Sequence, residues 1–406
     1  MIVLSGADVV LADRVLGPGT VIIEDDTIVD IEAGARGPID GALHVALDGH
    51  VIVPGFIDVH VHGVEGLDVL DRAGAVRAVA ERLPRWGVTA FCPTTVACSP
   101  AALASLFADI ARIRTGGHVT GARVLPAHLE SNFINPEYRG AQPVACLRKP
   151  PLDARAVLAA GRAPESQAAG TYSAEDLLRT IGMYRSDVGI VTLAPELEGG
   201  LDLVAALCAA GIRVSLGHSG ATYDVAMAAI EAGARHATHL FNRMRPMTHR
   251  EPGLTGAVLS SDAIAAELIC DGVHVHPAAL AIAIAAKRPE RIMAITDGTA
   301  GSGLPRGSRA TLGGYPITVG DTALLDDGTI AGSVLTMDRA FAALASTVGV
   351  SLVDAAKMCA TTPARELGLH GLGVVAAGSK ADLAVLDRNF RVKQTWLGGV
   401  MVFSEQ

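Results

Sequence analysis

Hydrophobic and polar residues follow two textures along this chain. Over residues 1–50, and just beyond, Val and Ile alternate with polar residues in MIVLSGADVVLA, GTVIIEDDTIVDIEAG and HVALDGHVIVPG, with Asp and Gly at the breaks. A period of two predicts half-buried strands joined by turns. The closing stretch, SKADLAVLDRNFRVKQTWLGGVMVF, has the same texture. Both chain ends are therefore expected to build one small β-sandwich, from residues 1–50 and 375–406.

Between these ends, continuous apolar runs replace the alternation. GFIDVHVH, TAFCPTT, RVLPAHLE, GIVTLAPE, RVSLGHS, HATHLFN, AAELICDGVH and RIMAITDG read as eight strands. Runs apolar on both faces suit a buried parallel sheet. Helical stretches such as AALASLFADIARI, SAEDLLRTIGMYRS and PAALAIAIAAK separate most of them. Eight strand–helix units over 51–374 predict an α/β fold, a (β/α)8 TIM-like barrel whose site lies at the C-terminal ends of its strands. Two connections, 131–172 and 298–332, are too long for plain turns and are expected to shape that site. The second holds the hairpin-like TLGGYPITVGDTALLDDGTIAG.

Composition narrows the possibilities. The chain has 406 residues, half of them hydrophobic and 4% aromatic, so its core must be built from Ala, Val, Leu and Ile. A formal charge of −9, with no extended basic stripe or basic-aromatic interleaving, gives no sign of a nucleic-acid surface. Six cysteines without a CxxC pair predict free thiols in a reducing cytoplasm. The N-terminus has no basic stretch before its apolar residues and does not read as a signal peptide. No apolar run is long enough to span a membrane.

Metal-ligand residue types recur at the strand ends. His60 and His62 end the first strand, Glu130 the third, His218 the fifth, His239 the sixth and Asp297 the eighth. Residues i and i+2 of a strand share a side, so both His60 and His62 can face the barrel mouth. Imidazoles and carboxylates converging there predict one or two divalent ions: Zn, or Fe, Mn, Co or Ni. His218 and His239 are expected to share an ion with Glu130, and His60 and His62 to hold a second with Glu130 and Asp297 shared or nearby. Asp297 is also the expected proton-transfer group, because activated water needs a base. His274 is read as a substrate contact or an oxyanion-stabilising donor, His128 as a supporting or packing residue, and His276 as structural. His236 has no assigned role, and His44, His50, His118 and His370 fall away from the strand ends. Asn242, Arg243, Arg245, His249 and Arg250 follow the sixth strand, a local positive cluster in an acidic chain that points to an anionic substrate.

With these residues in place, the chain resembles the amidohydrolase superfamily and, within it, the deacetylases of N-acetylglucosamine 6-phosphate. PGFIDVHVHG, GHSGATYD, ATHLFNRM, REPGLTGAVL, DGVHV, ITDG, IAGSVLTMDRA and GSKADLAVLD carry the likeness, which spans nearly the whole sequence. The resemblance implies that Glu130, His218 and His239 bind the common metal and that His60 and His62 match the pair found in two-metal members. It makes Asp297 the acid/base. Asn242, the backbone at Arg243, Arg250, His274, Ala141 and Ile330–Ala331–Gly332 become substrate contacts. It also implies a homodimer in which one subunit lends Arg250 to the other.

Two departures stand out. HLESNF places Ser131 and Asn132 where the family has Gly-Pro, adding polarity beside the metal, and Arg243 replaces a small residue. Both bear on the substrate rather than on the hydrolytic chemistry. The alternatives are therefore a different N-acyl amino sugar, such as N-acetylgalactosamine 6-phosphate, a cyclic amide, or a non-catalytic sugar-phosphate binder.

Overall fold

A computed structural model describes residues 1–116, 120–160 and 171–405. His118 and part of the 131–172 connection lie outside them. All eight expected barrel strands form, at Phe56–Val61, Val88–Thr95, Ala127–Glu130, Val188–Leu193, Arg213–Leu216, His236–Ala237, Ala265–Ile269 and Ile292–Ile295. Each pairs in parallel with the next around the ring. Nearly every residue in these strands is buried, which is why their sequences read as apolar runs and not as alternation.

The ring closes between its eighth and first strands. Asp297 N donates to His60 O at 2.9 Å, and His62 N donates to Gly298 O at 2.8 Å. Asp58 reinforces this seam, its Oδ2 accepting from Thr296 Oγ1 at 2.5 Å. Burial pushes the Asp58 carboxyl up to about 7.

Helices wrap the strands, and their starts follow from sequence. Ser99 caps Pro100–Thr115, Ser173 and Asp176 form a capping box on Ala174–Met183, and Thr222 caps Tyr223–Glu231. His276 caps Pro277–Lys287, its Nδ1 accepting from Ala278 N at 3.2 Å, which gives it the structural role expected. One helix, Gly253–Ser260, has little local signal, because two glycines and a serine weaken it.

The chain ends meet in a separate eight-stranded sheet. Val400–Ser404, Val392–Leu397, Leu383–Leu386, Val51–Pro54, Ile2–Val10, Val15–Glu24 and Thr27–Ala33 lie in that order. Ile2–Val10 is shared, its first half pairing with Leu43–Ala46 and its second with Val51–Ile52. Leu4, Val9, Val21, Ile23, Ile52, Leu383, Val385 and Trp396 give this unit a core of its own. We propose the division already read from sequence, 1–50 with 375–406 against 51–374. Val51–Pro54 is the join: it pairs into the terminal sheet and leads directly into the first barrel strand.

The 298–332 connection forms a three-stranded antiparallel sheet, Arg309–Leu312, Tyr315–Val319 and Ala323–Leu325, one strand more than a hairpin. Buried Asp68 moors it to the first βα loop by accepting from Gly313 N at 2.7 Å.

Arg123 couples the barrel to the terminal sheet. Its Nε and Nη2 grip the two oxygens of buried Asp382 at 2.8 and 3.0 Å, and Gly398 N donates to the same carboxylate at 2.7 Å. Asp382→Ala leaves these donors unmatched and is expected to lower the unfolding free energy by about 2 kcal/mol. Urea denaturation of the variant beside the parent checks this.

Candidate metal centre

The predicted ligands reach the barrel mouth by a repeated backbone device. Glu130 is the last residue of the third strand, and His60 and His62 flank the end of the first. His218, His239 and Asp297 each lie two residues past their strand ends. All three take the left-handed conformation, with φ of 48°, 31° and 48°. Such φ is costly for a residue with a Cβ and persists where its surroundings enforce it. Here it breaks the strand and turns each side chain to the centre.

Glu130 Oε1 lies 2.9 Å from both His218 Nε2 and His239 Nε2, which are 3.0 Å from each other. Beside this trio, Asp297 Oδ1 lies 3.3 Å from His60 Nε2 and 3.2 Å from His62 Nε2, and these nitrogens are 3.3 Å apart. The two trios adjoin, with His60 and His62 each 3.8 Å from a Glu130 oxygen. All six residues are buried.

The outer ring atoms identify the inner ones. His60 Nδ1 faces Glu267 Oε2 at 2.9 Å, His62 Nδ1 faces Thr94 O at 3.1 Å, and His218 Nδ1 faces Tyr138 O at 2.8 Å. Each partner is an acceptor, so each ring carries its proton outward and turns an Nε2 lone pair inward. His239 Nδ1 is the exception and has no partner among the described residues. Lone pairs and carboxylates thus converge with one protein donor among them, Gln142 Nε2 on Glu130 Oε2. Two nitrogens on one tetrahedral Zn²⁺ stand about 3.3 Å apart. The residues therefore fit a divalent cation in both donor type and spacing, as His60–His62–Asp297 and as Glu130–His218–His239.

Electrostatics treat the rings differently. Burial opposes charge at His60, His239, Glu130 and Asp297. At His60 it wins, pulling the ring down to about 4. At His239 the Glu130 carboxylate outweighs burial and lifts the ring to about 9. Burial likewise raises Glu130, but His218 and His239 hold its carboxyl well below the usual range. Asp297 is lowered too, His60 and His62 overriding burial, so it stays an anion able to take a proton.

The trios open into a cavity of about 480 Å³. Ala141, Asn242, Arg243, His274, Ile330 and Gly332 line it, as do Tyr138 and Gln142. His274 Nδ1 is held by Asp271 Oδ2 at 2.7 Å. Two of the residues read as contacts lie outside this lining. Ala331 is fully buried in the small core under the 298–332 insert, and Arg250 is exposed and does not line the cavity of its own chain. His249 is exposed, and Arg245 is directed to Glu251 at 4.0 Å. His128 packs below the site, bonded to Val59 O at 3.0 Å and Thr192 Oγ1 at 2.7 Å. His236 is buried at the base of the barrel, 3.7 Å from Glu366.

Ser131 and Asn132 do not add polarity to the cavity. Ser131 Oγ donates to Thr192 O at 2.5 Å, and Asn132 Nδ2 donates to Cys98 O and Cys146 O, both at 2.8 Å. They replace a rigid backbone path with side-chain ties. Glu267 and Gln142 are the supporting residues that strand-end reading missed. Glu267 had a signal, a lone carboxylate inside the apolar run AAELIC, since a buried charge demands a partner. Gln142, in a loop, had none.

The model of the Amidohydrolase family matches residues 51–402. An N-acetylglucosamine-6-phosphate deacetylase of Rattus norvegicus is 35% identical over 405 residues, covering 97% of this chain and 90% of that protein. An N-acetylgalactosamine-6-phosphate deacetylase of Escherichia coli is 35% identical over 356 residues, covering 87% and 88%. Among solved structures, a variant N-acetyl-D-glucosamine-6-phosphate deacetylase from Mycobacterium smegmatis, in complex with N-acetyl-D-glucosamine-6-phosphate, superposes with a TM-score of 0.86 at 31% identity, covering 99% of each chain.

Truncating one trio should empty it. His218→Ala is expected to lose metal relative to the parent while keeping the fold, read by elemental analysis and circular dichroism of the same samples. Unchanged metal content would remove His218 from the ligand set.

Proposed function

The chain belongs to the amidohydrolase family and is a hydrolytic enzyme, and on that footing we propose that it hydrolyses the acetamide of N-acetylglucosamine 6-phosphate to glucosamine 6-phosphate and acetate. One observation carries this reading: the two ligand trios and the anionic Asp297 share a cavity with Asn242, Arg243 and His274. The deacetylase relatives support the substrate class.

A divalent cation such as Zn²⁺, held by Glu130, His218 and His239 or by His60, His62 and Asp297, would supply Lewis acidity to the amide carbonyl and lower the pKa of water near it. The protein does the rest. Glu267, Thr94 and Tyr138 hold the imidazoles in the tautomer that faces inward. Asp297 accepts the proton of the attacking water and returns it to the departing nitrogen, so the amine leaves neutral. His274, held at Nδ1 by Asp271, lines the cavity as a substrate contact. Arg243 and Asn242 meet the phosphate, with the Arg243 guanidinium supplying charge that a small residue there would not.

N-acetylgalactosamine 6-phosphate is the second reading, favoured by the Escherichia coli relative. The two sugars differ in the configuration of one hydroxyl, which the His274 side of the cavity would discriminate. Six free cysteines support a reducing, cytoplasmic setting. A homodimer follows if exposed Arg250 serves a neighbouring subunit's cavity.

Acetate release from both phosphorylated sugars, and from unphosphorylated N-acetylglucosamine, tests the assignment. The glucosamine derivative is expected to have the highest kcat/KM; turnover of neither phosphorylated sugar would sink the proposal. Asp297→Asn should lower kcat by about 10²–10⁴-fold while the Glu130–His218–His239 trio keeps its metal. Arg243→Ala should raise KM for the phosphorylated sugar by about 10-fold or more, the loss of one charge-assisted contact, and leave the unphosphorylated sugar unaffected.

A further inference from the structure

The fourth barrel strand, GIVTLAPE, supplies no ligand although it lies between the strands that carry Glu130 and His218. It is followed instead by Glu196, three residues past Leu193. Glu196 is half-buried, and among the described residues no Arg or Lys forms an ion pair with it. Its carboxylate is met by three donors from two neighbouring loops. Oε1 accepts from Gly220 N at 2.6 Å and from Asn135 Nδ2 at 2.9 Å. Oε2 accepts from Ser219 Oγ at 2.7 Å.

These donors bracket His218. Ser219 and Gly220 directly follow it, and Asn135 begins the turn carrying Tyr138, whose carbonyl fixes His218 Nδ1. Asn135 N also donates to His218 O at 3.0 Å. Gly220 packs so closely on this turn that a Cβ there would fall 2.6 Å from the Tyr138 ring. The left-handed His218 backbone is therefore enclosed by a circuit: Glu196 to Asn135, Asn135 to His218, His218 to Tyr138, and Ser219–Gly220 back to Glu196. A strained residue needs such over-determination to stay put.

We propose that Glu196 is a positioning residue for the metal centre: by joining the loops after the third and fifth strands, it holds His218 in its left-handed turn and its Nε2 on Glu130 and His239. This rests on the metal-centre reading above, but its readout is metal affinity, not turnover. A carboxylate serves here because it is acceptor-only and can satisfy three donors at once, which no neutral side chain of that length does as fully.

The test compares Glu196→Ala and Glu196→Gln with the parent full-length protein. Zn²⁺ affinity is measured by competition with a chromophoric chelator, and the visible spectrum is recorded after Co²⁺ loading. Glu196→Ala is expected to weaken binding of one equivalent by about 10–100-fold and to change the Co²⁺ bands. Glu196→Gln keeps an oxygen for Gly220 and Asn135 and should remain within about threefold, since hydrogen-bond geometry and not charge is what the circuit needs. A folded Glu196→Ala protein that binds both equivalents as the parent does overturns the inference, as does a Gln variant as weak as Ala. Should Glu196→Ala fail to fold, Asn135→Ala removes the bond from Asn135 Nδ2 to Glu196 together with the cap on Glu137 N, and carries the same expectation and the same refutation. A parent that binds no Zn²⁺ would overturn the metal centre itself, and this inference with it; a tight parent with an equally tight variant overturns the inference alone.

Discussion

Keeping four imidazoles and two carboxylates together in a buried wall is the constraint on which this structure turns. Each would be expensive to bury alone, and together they are tolerable only with positive charge among them; rings that carry their protons outward leave lone pairs free for a cation at the centre. The barrel secures that by giving the rings outward acceptors: Glu267 for His60, Thr94 O for His62 and Tyr138 O for His218. Those acceptors come from three different parts of the ring, so the tautomers depend on the barrel being closed. Closure in turn runs through the ligand segments, where Asp297 N bonds His60 O and His62 N bonds Gly298 O. Fold and site are therefore held by the same few contacts.

Much of this was legible in sequence, for identifiable reasons. A buried parallel strand needs both faces apolar, so AAELIC and RIMAI stood out as strands, and ligand residues just beyond such runs stood out against them. Glu130 and the His60–His62 pair were readable because a regular strand fixes which side each residue faces. HATHLFN reads as a strand although only its first two residues, His236–Ala237, form one.

Other features depend on contacts between distant segments and leave no local trace. Gln142 lies in an irregular loop, and nothing in GAQP announces that its amide meets Glu130. The exposure of Arg250 and the burial of Ala331 reflect where long loops settle. Ser131 and Asn132 read as polar intrusions because side-chain direction cannot be inferred off a regular element. In fact both turn to backbone carbonyls and tie the third-strand loop to its neighbours. Gly253–Ser260 shows the opposite balance, a helix imposed by packing on a sequence with weak intrinsic preference.

The repeated left-handed turn at His218, His239 and Asp297 restricts how this rim can diversify. Positions that demand positive φ admit Asn, Asp, His or Gly far more readily than Val, Ile or Thr. A descendant of this chain could thus trade one cation, or lose it, through Asn or Gly at these sites without disturbing the strands beneath. A β-branched replacement would have to unwind the loop before it could alter the chemistry. The backbone has in effect preselected the alphabet from which new activities on this scaffold are spelled.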